Sequence, residues 1–185
     1  GEVVWSKNYT GLKNQNVGYA IKQKSDSSYV LTGRVVECTS CRNYAFLANI
    51  SPAGDLIWAK KYARGKADAD FGIDLSVEQK QIVVLMNGAL VHTDSLGAIQ
   101  HLLVTTGLSF EGHHDRIRTR LLRADDGGYL IPRSSFFGGL LLKTNKLGVI
   151  EWSRRLFLIP TDLQQTEPNN LLIVGNGPLI GVVAP

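Results

Sequence analysis

All three tryptophans of this 185-residue chain stand four residues after a glycine, as Gly1-Glu-Val-Val-Trp5, Gly54-Asp-Leu-Ile-Trp58 and Gly148-Val-Ile-Glu-Trp152. A fourth copy, Gly97-Ala-Ile-Gln-His101, carries histidine in the tryptophan slot. The glycines lie 53, 43 and 51 residues apart, and 38 residues run from Gly148 to the end. Self-similarity at a period of 20–50 residues means an array of supersecondary units, each unable to bury its own apolar face alone.

Each unit repeats more than the tryptophan slot. An apolar stretch precedes each internal glycine: Tyr44 to Gly54, Ala89 to Gly97 and Leu140 to Gly148, with Leu179 to Pro185 as the last copy. Upstream lies a second apolar segment, at Tyr29–Gly33, Ile82–Leu85, Tyr129–Ile131 and Leu171–Gly175. Turn residues precede these, and before the turns comes a third segment at Gly18–Ile21, Gly72–Leu75, Ile117–Leu121 and Leu163–Gln165. The runs are too short for stable helices and are punctuated by turn residues, so each unit predicts four short strands. Nineteen glycines against one methionine agree with a turn-rich chain.

Repeats of 40–50 residues with four strands each predict an all-β β-propeller, whose blades stack because a lone four-stranded sheet leaves its faces wet. An indole on an outer strand can fill the wedge between blades. The units run 1–53, 54–96, 97–147 and 148–185 within one domain, 1–185. With the Gly-x-x-x-Trp strand outermost, the chain opens on one outer strand, Glu2 to Tyr9, and closes on three strands that lack one. The favoured arrangement is a closed four-bladed ring in which the N-terminal strand completes the last blade and hides its edge. Half of an eight-bladed dimer and a propeller fragment remain the alternatives.

The segments Trp5-Ser-Lys7-Asn-Tyr9, Trp58-Ala-Lys60-Lys-Tyr62, Asp125-Asp-Gly-Gly-Tyr129 and Leu142-Lys143 together resemble the tandem β-propeller repeats of secreted and surface-associated bacterial proteins. The glycine-tryptophan strand is also similar to the tryptophan-docking propellers of quinoprotein dehydrogenases and of the outer-membrane assembly lipoprotein. The second repeat lacks Asp-Gly-Gly-Tyr, the third has His for Trp, and the fourth has Pro-Asn-Asn at its turn. The resemblance implies an extracellular or cell-envelope location and a propeller fold. It implies no single activity, because one fold hosts many functions.

Signatures of catalysis are sparse: the chain has no phosphate-binding loop, nucleophile elbow or paired-histidine helix motif. Cys38 and Cys41 form one C-x-x-C in a polar loop. Without a second pair or a following helix, a loop disulfide or two inert thiols is favoured over zinc or redox chemistry. His113 and His114 are adjacent, and adjacent side chains diverge on an extended chain. Asn16, Asp70, Asp115 and Asp162 stand at the entries to the innermost strands. They read first as turn-stabilising groups and second as a ring of oxygens at the axial mouth, able to bind a cation such as Ca²⁺ or a ligand. No cofactor is implied otherwise.

The net charge is +4 and the basic residues are spread along the chain, which argues against nucleic acid. No apolar run reaches 18 residues, which excludes a membrane-spanning helix. The function expected is a non-catalytic binding or scaffold module that recognises protein or carbohydrate through loops on one face, with Lys13, Asn14, Arg64, Lys66, Phe110 and His113 as candidate contacts. A structural subunit of a larger extracellular assembly, homodimers included, is one alternative. A hydrolase or lyase with its site in the axial mouth is the other.

Overall fold

The computed structural model describes residues 2–9, 16–36, 43–64, 70–104, 120–135, 138–167, 170–176 and 181–183. Among them are fifteen strands and no helix. The first sheet runs β1 (Asn16–Gln23), β2 (Tyr29–Val36), β3 (Asn43–Ile50), β4 (Leu56–Tyr62), and the second β5 (Gly72–Val77), β6 (Gln81–Met86), β7 (Ala89–Asp94), β8 (Ile99–Val104). The third runs β9 (Leu122–Arg123), β10 (Tyr129–Ser135), β11 (Gly138–Thr144), β12 (Ile150–Leu156). The fourth has three strands, β13 (Ile159–Glu167), β14 (Asn170–Asn176) and β15 (Gly181–Val183). In every sheet, neighbours in sequence are neighbours in space. The chain is therefore all-β and built of four consecutive sheets in the phase that the repeat predicts, each complete sheet ending on the strand after the left-handed glycine.

The sequence sorts strands by position. Ile-Val-Val-Leu-Met in β6 and Ala-Leu-Val at the start of β7 are unbroken apolar runs, and burial extends from Ile82 to Met86 and from Ala89 to Thr93. Such runs suit middle strands covered on both faces. The outer strands β4, β8 and β12 are mostly exposed and mix charge with apolar residues.

The chain divides into two compact units, 1–87 with 91–102, and 88–90 with 103–185. In the first, β5 packs against β1, β2 and β3. A Cβ on Gly72 would strike Thr32 Oγ1, so the glycine sets how closely β5 approaches β2. In the second, β13 packs against β9, β10 and β11. Its core is Leu130, Leu141, Leu158, Leu163, Leu171 and Ile173, with Trp152 and Leu156 packed on the edge.

Residues 2–9 lie in the first unit. They have the composition of an outer strand, but they belong to no sheet among the described residues and all are exposed.

Candidate functional site

One turn recurs through the chain. Its first residue donates its N–H to the carbonyl of the fifth and accepts from the N–H of the fourth, as in Ser51–Asp55, Asp94–Ala98, Asn145–Val149, Lys24–Ser28 and Ala124–Gly128. The fourth residue is left-handed in all five: Gly54, Gly97, Gly148, Ser27 and Gly127, with φ between 65° and 87°. Side chains lock the loop. Asp94 Oδ1 accepts from Leu96 and Ala98 N–H at 2.9 and 2.8 Å, and Asn145 Oδ1 accepts from Leu147 and Val149 at 2.9 and 3.0 Å. In the Asp-Gly-Gly-Tyr turn, Asp126 accepts from Gly128 N–H at 2.9 Å, and Asp26 does the same for Ser28.

The tryptophan slot acts on this turn. Trp58 lies over Gly97, where an added Cβ would come within 2.9 Å of its ring, and Tyr62 Oη donates to Gly97 O at 2.7 Å. Trp5 lies over Gly54 with the corresponding approach at 2.8 Å, its Nε1 donates to Pro52 O at 3.0 Å, and Tyr9 Oη donates to Gly54 O at 2.7 Å. Residues four apart share a face of an extended chain, so one outer strand presents ring and hydroxyl together. Trp and Tyr thus form a latch on the turn of the following unit. Burial, with the Asp94 charge nearby, pushes the Tyr62 phenol up, so it stays a donor. In the third copy, Gly148 faces Leu90 and Leu103 instead of an indole.

A second slot runs opposite the tryptophan and was not singled out from sequence. Five residues before each of the repeat glycines Gly54, Gly97 and Gly148 stand Asn49, His92 and Lys143, all buried. Asn49 pairs with Trp58 and Lys143 with Trp152 across the ladder, and the His92 ring meets His101 edge-on at 5.8 Å. The constant offset from the glycine is the signal that finds it. Lys143 Nζ donates to Asp126, Glu151 and Thr144 O at 2.6, 3.0 and 2.8 Å. Burial pulls the Lys143 ammonium down, but these hydrogen bonds outweigh it and leave it raised. The Lys143 bond, then the Gly128 N–H, hold the Asp126 carboxyl low. Burial, and then His101, keep the His92 imidazole below its ordinary range, with Glu78 opposing.

The entry-residue set divides. Asn16 opens β1 and is exposed. Asp70 is fully buried, accepting from Arg64 N and Nε at 2.8 and 2.6 Å. Asp162 accepts from Leu163 N–H at 2.8 Å and pairs with Arg120 at 2.9 Å. The bulges at Gly18/Ala20, Gly72/Asp74 and Pro160/Asp162 put Asp162 in register with Asp74 and Ala20, four residues along from the position shared by Asn16 and Asp70. Asp74 makes the Asp162 contact, accepting from Leu75 N–H at 2.9 Å. Asp115, Lys13, Asn14, Lys66, Phe110, His113, Cys38 and Cys41 lie outside the described residues. Arg64, a candidate contact, is half-buried against Asp70.

Among the described residues no group of three or more His, Cys, Asp or Glu side chains is placed to share a metal ion. No helix among them is long and apolar enough to cross a membrane. The feature left over is apolar. The second residue after each repeat glycine is Val3, Leu56, Ile99 or Ile150, exposed by 82%, 52%, 51% and 37%.

No protein-family model matches the chain, and no curated protein matches it in sequence. Solved structures do. A protein of unknown function from Bacteroides caccae superposes with a TM-score of 0.63 at 13% identity, over 93% of this chain and 57% of its own. Sqt1 from Chaetomium thermophilum superposes with a TM-score of 0.55 at 11% identity, over 88% of this chain and 42% of its own. The chain therefore spans about half the length of these structures, and the likeness is one of fold.

Proposed function

We propose that the chain is a non-catalytic recognition scaffold whose partner is a protein, engaged along the outer strands and the loops beside them. The observation that carries this reading is the repeated apolar slot at Val3, Leu56, Ile99 and Ile150. Single exposed apolar residues are ordinary on any surface. Recurrence at one slot of four units is not, and exposed apolar patches mark interaction sites.

The polar chemistry supports the same reading. Asp70, Asp126, Lys143 and Asp162 are engaged by Arg64, Lys143, Asp126 with Glu151, and Arg120. Groups held this way stiffen turns and strands, whereas a hydrolase or lyase needs titratable groups converging on a substrate. A role as a subunit of a larger extracellular or envelope assembly would use the same apolar slot. A bacterial, secreted origin belongs to this proposal and rests on the resemblance of the repeats alone.

The test compares the wild-type chain with a Leu56→Lys/Ile99→Lys variant by cross-linking and mass spectrometry in the source organism, alongside a glycan array. A specific protein cross-linked by the wild type and lost with the variant supports the reading. Glycan binding equal in both chains, with no protein cross-link, overturns it in favour of carbohydrate recognition.

A further inference from the structure

The tryptophan slot and the buried polar slot that faces it take different residues in different sheets. Trp58 faces Asn49 and Trp152 faces Lys143 across their ladders. In the sheet of β5 to β8 the same two slots hold His101, on the outer strand β8, and His92, on β7. Both members of one facing pair are therefore imidazoles. Packing alone does not require this, since an indole fills the outer slot against asparagine and lysine alike.

The two rings have their centres 5.8 Å apart and their planes inclined at 62°. An ion bonded to one nitrogen of each of two imidazoles, at about 2.0–2.1 Å, leaves the ring centres about 5–6 Å apart. The pair already has the separation of two ligands on one ion. His92 is 4% exposed and His101 is exposed, so packing holds the inner ring while the outer one opens toward solvent. Both residues belong to the first compact unit, as does Glu78, whose charge is felt at His92. A carboxylate at that range offsets part of the charge of a dication.

We propose that His92 and His101 together bind a divalent d-block cation, copper(II) most tightly, with solvent completing its coordination. Imidazole nitrogens suit copper, nickel and zinc, whereas calcium and magnesium take oxygen ligands. Among the divalent first-row ions, copper(II) binds such a set most tightly. Two protein ligands leave the other positions to water, so the site is open, unlike a closed four-ligand structural centre. Burial keeps His92 neutral, which is the form that binds a metal. An ion held between β7 and β8 clips the outer strand to its neighbour, so binding stabilises the fold.

The full chain is titrated with copper(II) near neutral pH in a buffer without chelating groups. Calorimetry follows binding, and electron paramagnetic resonance identifies the ligands. The expected result is one ion held by two imidazole nitrogens, with a raised melting temperature. His101→Trp installs the residue found at 58 and 152. It is expected to weaken copper binding by about tenfold or more and to remove the copper-induced rise in melting temperature. His92→Asn, which installs the residue found at 49, is expected to do the same. A His113→Ala/His114→Ala variant removes the other two histidines and is expected to bind as the wild type does. Three results overturn the proposal: equal copper affinity in the wild type, His101→Trp and His92→Asn; binding lost in His113→Ala/His114→Ala and kept in the other two variants; or a wild-type copper signal without two imidazole nitrogens.

Discussion

At the scale of the residue, the fourth position of the recurring turn dictates identity. Four of its five occupants are glycine and the fifth is Ser27, at φ 65°. A side chain in that conformation costs about 1–2 kcal/mol. Ser27→Gly is therefore expected to raise unfolding free energy by about 1 kcal/mol, and Gly127→Ser to lower it by a similar amount, as measured by chemical denaturation. The buried slot opposite the tryptophans gives a second expectation. His92 is held neutral in the fold, below the 6.5 of a free imidazole. As pH falls through 6.5 the unfolded chain takes up a proton that the folded chain refuses, so the fold loses stability until the folded imidazole also titrates. His92→Asn, which installs the residue found at position 49, is expected to flatten the fall in melting temperature between about pH 7 and about pH 5. The Asp26 carboxyl, held down to about 2 by hydrogen bonds from the Ser28 and Lys24 side chains, and the depressed Asp126 add a separate loss at lower pH. The glycines of this turn were legible in the sequence because only they fit cheaply. Ser27 was not, because nothing in its type announces a left-handed backbone.

At the scale of the element, strands are joined into sheets by ladders and one unit is joined to the next by a latch. Tyr62 donates from a buried position to Gly97 O, and Tyr9 donates to Gly54 O from a partly exposed one. Tyr62→Phe is expected to cost about 1 kcal/mol or more and Tyr9→Phe less, because water can replace the exposed partner; thermal unfolding of the two variants checks the order. Removing Trp58 as well should abolish most of the additional effect of Tyr62→Phe, since both act on one turn. The four-strand unit, its phase and its middle strands were all readable from apolar runs bounded by turns. Segment 2–9 was readable only in part. Its residues specify what an outer strand touches, but a ladder depends on a neighbour that local sequence does not encode.

Across the whole molecule, the sequence carried the fold further than it carried the site. Asn16, Asp70 and Asp162 look equivalent when counted from the repeat. The residue after the shared bulge lies 19, 20 and 14 residues after Gly1, Gly54 and Gly148, so the shorter connection before β13 carries Asp162 onto the bulge position, while Asn16 and Asp70 stand four residues earlier. The surviving regularities, the apolar slot after the glycine and the buried polar slot before it, emerge only once the turn is taken as the origin. Charge belongs to this scale too. The net charge is +4, and Arg120 and Arg64 are each paired with an aspartate, Asp162 and Asp70. With its basic residues spread along the sequence, the chain is expected to bind duplex DNA no tighter than about 10⁻⁴–10⁻⁶ M at physiological salt and with no sequence preference, which fluorescence anisotropy with two unrelated duplexes would measure.

The latch reads very little of what it grips: a left-handed glycine and its carbonyl, presented by a five-residue loop. Trp5 and Trp58 grip turns whose other residues differ, Ser-Pro-Ala-Gly-Asp in one case and Asp-Ser-Leu-Gly-Ala in the other. The turns at Gly54 and Gly97 are therefore gripped by a common coupling rather than by surfaces fitted to one another. Copying the stretch of DNA between these two glycines would repeat the same coupling, so a chain of this kind can gain a unit without inventing a new interface.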